Sequence, residues 1–131
     1  MTKKIEVQKL SAPRSIDSGH SKRILAALAL APKGEIGLVC VAGNSEARAF
    51  AMQLRDLLMI SGWFIPNGGS EISSVVVDGD PIIGLRIQFR SKTEVPERGA
   101  ILFGILRSFG IKISWNTNSE FDKDEVQLTV G

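Results

Sequence analysis

Two short loops hold the residues best suited to binding chemistry. The first is Gly43, Asn44 and Ser45, followed by Glu46, with Arg48 a turn further on. The second is Arg90, Ser91 and Lys92, followed by Thr93. Each loop follows an apolar strand-like run and precedes a helix-like one. A helix start offers unpaired backbone N–H groups and the positive end of the helix dipole, which suit a phosphate or carboxylate. Arg90 and Lys92 add formal charge. The chemistry implied is recognition of a small anionic ligand or a nucleotide. The motif is sparse, because Gly43 stands alone without a G-x-G-x-x-G or G-x-x-x-x-G-K-[ST] pattern. A capped helix and a solvated basic loop would use the same residues.

Other reactive residues are scattered. His20 is the single histidine and lies in a polar N-terminal stretch without a neighbouring cysteine or carboxylate cluster. Neither a metal site nor a Ser-His-Asp arrangement is expected around it. Asp78 and Asp80 straddle Gly79 and read as turn formers. Glu120, Asp122, Asp124 and Glu125 form an acidic loop without the alternation and glycine of a calcium loop. An enzymatic reading would use Glu46 or Asp78 as a base against a phosphate-bearing substrate. Trp63, Phe64 and Trp115 follow helical segments and suit packing on a half-buried sheet better than base stacking. No metal and no cofactor is expected, and there is no clear nucleic-acid signal.

These loops depend on a pattern that nearly repeats. Residues 36–41 are a continuous apolar run, which suits a strand covered on both faces. Ala47, Phe50, Ala51, Leu54, Leu57 and Leu58 then follow the spacing of an amphipathic helix. Gly62 ends that helix, and Trp63, Phe64 and Ile65 begin another strand. The second copy starts at residues 82–90. Its helix spans about 97–109, with Ile101, Leu102, Ile105, Leu106 and Phe109 inward. Gly110 stops this helix, and residues 111–115 form a strand. From Ile36 to Ile83 is 47 positions, and from Gly62 to Gly110 is 48. Outside the copies, a helix is expected over about 22–31, a loop over 66–70 and a strand over 72–77. Residues 78–81 should turn, and Val126, Leu128 and Val130 should close the chain as an alternating strand.

Two strand-helix-strand units predict an α/β fold, with pseudo-repeated βαβ units in one sheet. A Rossmann-like doubly wound sheet would bring the Gly43 and Arg90 loops to one crevice at the carboxyl ends of their strands. The apolar run at 36–41 favours this arrangement, as does a spare N-terminal helix to cover a second face. A ferredoxin-like α+β sheet has the same element order, with a hairpin between the second and third strands. The Asp78-Gly79 turn favours that alternative.

Composition sets the outer bounds. The chain has 131 residues, 44% hydrophobic and 23% charged, which is ordinary for one globular domain. Its net charge of +2 implies neither nucleic acid nor membrane. The charge is uneven, since Lys3, Lys4, Lys9, Arg14, Lys22, Arg23 and Lys33 precede an acidic remainder. Residues 1–20 read as a flexible basic arm and residues 21–131 as a single α/β domain. Cys40 is the one cysteine, so no intrachain disulfide exists. It lies in an apolar strand, where free cysteine acts as a small hydrophobe. The apolar stretches fall short of the roughly 20 residues of a membrane helix, and a reducing cytoplasmic setting fits.

Three segments carry a resemblance. They are VCVAGNSEARAFAMQLRDLLMISGW, GILRSFGIKI and the closing VQLTVG. Residues 25–131 resemble an uncharacterised bacterial cytoplasmic C-terminal domain that follows transmembrane or coiled-coil segments. The resemblance implies a membrane tether in the full-length protein and brings no activity or catalytic residues. The expectation is a non-enzymatic binding or regulatory module. Its candidate site comprises Gly43, Asn44, Ser45, Arg48, Arg90, Ser91 and Lys92. The alternatives are the small enzyme above and a homodimer paired through the 72–77 edge.

Overall fold

A computed structural model describes residues 14–66, 72–76 and 82–131. The expected Asp78-Gly79-Asp80-Pro81 turn lies outside the described residues, as do Asn67 to Ser70 of the expected loop. The described elements are α1 (Ser18–Leu30), β1 (Gly37–Val41), α2 (Ser45–Ile60), β2 (Ser73–Val75), β3 (Leu85–Phe89), α3 (Glu97–Ser108), β4 (Ile113–Thr117) and β5 (Gln127–Val130).

Helices α1 and α2 begin at side-chain caps. Helix α2 buries Ala47, Phe50, Ala51, Leu54, Leu57 and Leu58, the stripe expected from spacing. The Asn44 side chain caps it by accepting the Ala47 N–H at 3.0 Å. Both repeat glycines end their helices with positive φ, +99° at Gly62 and +79° at Gly110. Helix α1 begins earlier than its apolar run, because Asp17 is the N-cap and its Oδ1 accepts the His20 N–H at 2.8 Å. The arm–domain boundary drawn after residue 20 therefore falls inside α1. The chain is also tied to the domain before the helix. Ile16 N–H donates to Gln53 Oε1 at 3.0 Å, and Gln53 Nε2 donates to the Ile16 carbonyl at 2.8 Å.

The strands form one mixed sheet in the order β2-β1-β5-β3-β4. Strand β1 runs parallel to β2 and β5, and β3 runs parallel to β4. Strand β5 is antiparallel to β3. The α/β class is present, and so is the parallel pair of the second copy, β3 with β4. The strand after Gly62 contributes one parallel bridge, Glu35 to Phe64, and the longer ladder on β1 belongs to β2.

The sheet differs from a doubly wound one in two respects. Its halves point in opposite directions, because β5 inserts between β1 and β3. Its helices also share one face. Leu38 and Cys40 of β1, Leu85, Ile87 and Phe89 of β3, and Leu128 and Val130 of β5 enter one core with all three helices. Helix α1 lies against both α2 and α3, so it fills the helical layer instead of covering a second face. The opposite face carries half-buried Val39, Arg86, Gln88 and Gln127. Thr129, between Val39 and Arg86, is buried on the same face, and the polarity of this face was already visible in the alternation of β3. The ferredoxin-like pairing is absent as well, since β2 and β3 are separated by β1 and β5.

Trp63 anchors the end of α1. It is 3% exposed, and its Nε1–H donates to the Leu28 carbonyl at 3.1 Å. Cys40 is buried, with Sγ 4.0 Å from Ser74 Oγ. Among the described residues, no helix is long and apolar enough to cross a membrane.

Candidate functional site

The topology separates the two predicted loops. Strands β1 and β3 run antiparallel through β5, so their carboxyl ends lie at opposite ends of the sheet. Gly43, Asn44, Ser45 and Arg48 stand at one end, and Arg90, Ser91 and Lys92 at the other. No single crevice contains both groups. Several of these side chains also have structural partners. Asn44 caps α2, and Arg48 Nη1 donates to the Ile72 carbonyl at 3.2 Å. Ser91 Oγ accepts the Thr93 N–H at 3.1 Å and lies 2.7 Å from Thr93 Oγ1. Arg90 and Lys92 are exposed.

The end of the sheet that holds Gly43 contains a different concavity. The register places Leu85, the first residue of β3, level with Val130 and hence with Cys40 near the end of β1. The approaches to β3 and β4 therefore meet the start of α1 here. They border a half-open cavity of about 570 Å³. Ile24, Phe50, Phe109 and Ile111 supply its apolar lining, and Arg14, Asp17, His20 and Lys112 its polar groups. Gly84 and Gly110 form part of the wall. At Gly84 the φ of +76° and the close approach of the Lys112 carbonyl both exclude a side chain.

Two charged pairs organise the rim. Arg14 reaches Glu46 through Nη2 to Oε1 at 2.7 Å and Nε to Oε2 at 2.9 Å, and its backbone N–H adds a bond to Oε2 at 2.8 Å. Its guanidinium stacks 4.8 Å from the centre of the Phe50 ring and also donates to the Gly131 carbonyl. These bonds from the Arg14 side chain, more than from its backbone, hold the Glu46 carboxyl below its ordinary range. The second pair is Asp17 and His20. The His20 backbone N–H and then its ring lower the Asp17 carboxyl. Nδ1 lies 2.6 Å from Asp17 Oδ2. An ionised carboxylate only accepts, so Nδ1 carries the hydrogen and Nε2 remains for another partner. The imidazole meets Phe109 edge-on at 6.4 Å between ring centres.

Sequence reasoning passed over this pair. The usable signal was the three-residue spacing from Asp17 to His20 at a helix start, where an N-cap and a third helical residue face each other. Lys112 and Phe109 carried no such signal. Only the fold brings the end of α3 beside the start of α1.

The Glu46 contact makes stability dependent on acid. Its folded pKa is lowered, so its contribution is complete above the unfolded carboxylate pKa and is lost as pH falls through the folded value. Glu46→Gln is expected to cost about 1 to 2 kcal/mol at neutral pH by leaving a half-buried Arg14 charge without its carboxylate. The same substitution should flatten the loss of stability on acidification. Urea denaturation of both proteins at neutral and acidic pH measures both effects. Parallel acid limbs for the two proteins would assign the pH dependence elsewhere.

A second cavity of about 450 Å³ lies at the opposite end of the sheet, between Glu35, Arg98 and the acidic loop. Arg98 occupies this region as a tether. Its Nε donates to the Glu35 carbonyl at 2.8 Å, and Nη2 donates to the Asp124 carbonyl. Among the described residues, no three His, Cys, Asp or Glu side chains converge as metal ligands. No family model, curated protein or solved structure matches this chain.

Proposed function

We propose that this protein is a small-molecule-binding module whose ligand occupies the cavity between the start of α1, α2 and the Gly110 turn. The observation that carries this reading is the cavity itself. At about 570 Å³ it has the size of a ligand site, with an apolar lining and a few convergent polar groups. The ligand chemistry follows from the charges. Arg14 neutralises Glu46 and the Asp17 carboxylate is hydrogen-bonded by His20, whereas Lys112 is exposed and has no ion pair among the described residues. A molecule with an apolar body and one anionic group fits, its body on Phe50 and Phe109 and its anion toward Lys112. His20 Nε2 offers an additional hydrogen-bonding position. Binding is favoured over acid–base catalysis at Glu46, because a carboxylate held ionised by Arg14 is a weak base.

The test is NMR titration with a panel of aromatic carboxylates, aliphatic carboxylates and nucleoside monophosphates. Shifts should cluster at His20, Phe109, Gly110 and Lys112 for at least one class. Lys112→Ala should weaken that binding about tenfold, the scale of one charge-assisted contact. Shifts confined to the Arg90 loop, or no response from any class, would remove the reading.

A further inference from the structure

Among the described residues, one outer edge of the sheet presents an unguarded strand. Strand β4 is terminal among the described strands, and its sequence Ile113-Ser114-Trp115-Asn116-Thr117 contains no charge and no proline. Edges left open to solvent are usually guarded by such residues. Trp115 stands at its centre and is 50% exposed. We infer that β4 pairs with β4 of a second copy of this chain, antiparallel and centred on Trp115, to make one continuous sheet across a two-fold axis.

The hydrogen-bond register selects that centre. Lys112 accepts from Leu85 N–H at 2.9 Å, and Asn118 N–H donates to Phe89 at 2.8 Å. Even-numbered residues of β4 therefore turn their backbone groups inward to β3. Ile113, Trp115 and Thr117 turn theirs outward. An antiparallel mate centred on Trp115 places Trp115 opposite Trp115 and Ile113 opposite Thr117. All outward N–H and C=O groups of those three residues then form bonds, as hydrogen-bonded pairs require. No other register uses all of them.

Helix α3 is complementary to itself about the same axis. Ala100 and Phe103 line a small cavity with Trp115, so the middle of α3 stands over the middle of β4. The helix packs over β3 and β4, which puts its symmetry mate two strand spacings away, about 9.6 Å. Helices pack at about 8 to 10 Å. The facing stripe contains exposed Ala100 and Gly104, and a Cβ on Gly104 would meet nothing within 4 Å. Glu97 lies one turn before Ala100, and Arg107 one turn after Phe103. Antiparallel helices set Glu97 of each copy beside Arg107 of the other, and neither has an ion pair among the described residues. This charge complementarity identifies the occupant as a second copy. The sequence drew attention to the 72–77 edge, where β2 ladders over Ser73–Val75 among the described residues.

Sedimentation equilibrium tests the inference. The wild-type chain should be dimeric, and Trp115→Lys should weaken the dimer at least about 30-fold, as for a central interface residue. Glu97→Arg and Arg107→Glu should each weaken it, and the doubly exchanged protein should recover it. That recovery separates a broken contact from a broken fold. A folded wild-type monomer at high concentration would overturn the inference. So would a dimer indifferent to Trp115→Lys, or an exchange that fails to rescue.

Discussion

Leu128→Ala is expected to destabilise the protein by about 4 kcal/mol, near the upper end for truncating a buried leucine. Leu128 is fully buried in the central strand. It faces Ile24 and Leu28 of α1, Leu54, Leu57 and Leu58 of α2, and Leu102 and Leu106 of α3. These side chains and Leu128 surround one small void, so truncation enlarges a cavity shared by three helices. The surrounding backbone is held by ladders on both sides of β5, with Leu38 on one side and Ile87 on the other. The site therefore collapses poorly around the missing atoms, and the cost exceeds simple transfer of the lost groups from water. Urea denaturation should show a lower midpoint with little change in slope. Leu30→Ala is the comparison, since Leu30 is 89% exposed and should change stability by less than about 0.5 kcal/mol. A Leu128→Ala cost close to that of Leu30→Ala would mean that β5 does not hold the helical layer.

Gly84→Ala carries the second large effect, about 2 to 4 kcal/mol, together with loss of cavity binding. The residue has φ +76°, a region that L side chains adopt under strain. An added Cβ would also press on the Lys112 carbonyl and lie 3.1 Å from its carbon. These are backbone atoms, and Leu85 N–H donates to that same carbonyl at 2.9 Å. They cannot rotate aside as a side chain could. Relief requires the starts of β3 and β4 to separate, which moves Lys112 and opens the cavity wall. Gly43→Ala isolates the strain, because Gly43 has the same φ but nothing within 4 Å of the place its methyl group would take. It should cost about 1 kcal/mol and leave binding at the cavity intact. Equal costs at the two glycines would show that the Lys112 approach is unimportant.

Much of the secondary structure was legible because it depends on neighbours in sequence. The stripe from Ala47 to Leu58, a cap in the Asn44-Ser45 turn and the stops at Gly62 and Gly110 all act within a turn or two of chain. The start of α1 was missed because Asp17 stands before any apolar residue of that helix. The candidate site was less legible. Its anion-binding logic assumed that the carboxyl ends of β1 and β3 point the same way. Local pattern has no term for that direction.

The sequence by itself determined the α/β class, the β3-α3-β4 unit and the buried stripe of α2, since periodicity and caps are local properties. The tertiary structure decided which strands became neighbours. Val126, Leu128 and Val130 read as a closing strand, yet they occupy the centre of the sheet. That placement reverses one unit against the other, parts Gly43 from Arg90, and brings His20, Phe109 and Lys112 together. The physical reason is that strand pairing joins residues far apart in the chain through backbone groups common to every residue. Side-chain pattern specifies which face is buried, while strand order and direction depend on how the whole helical layer packs.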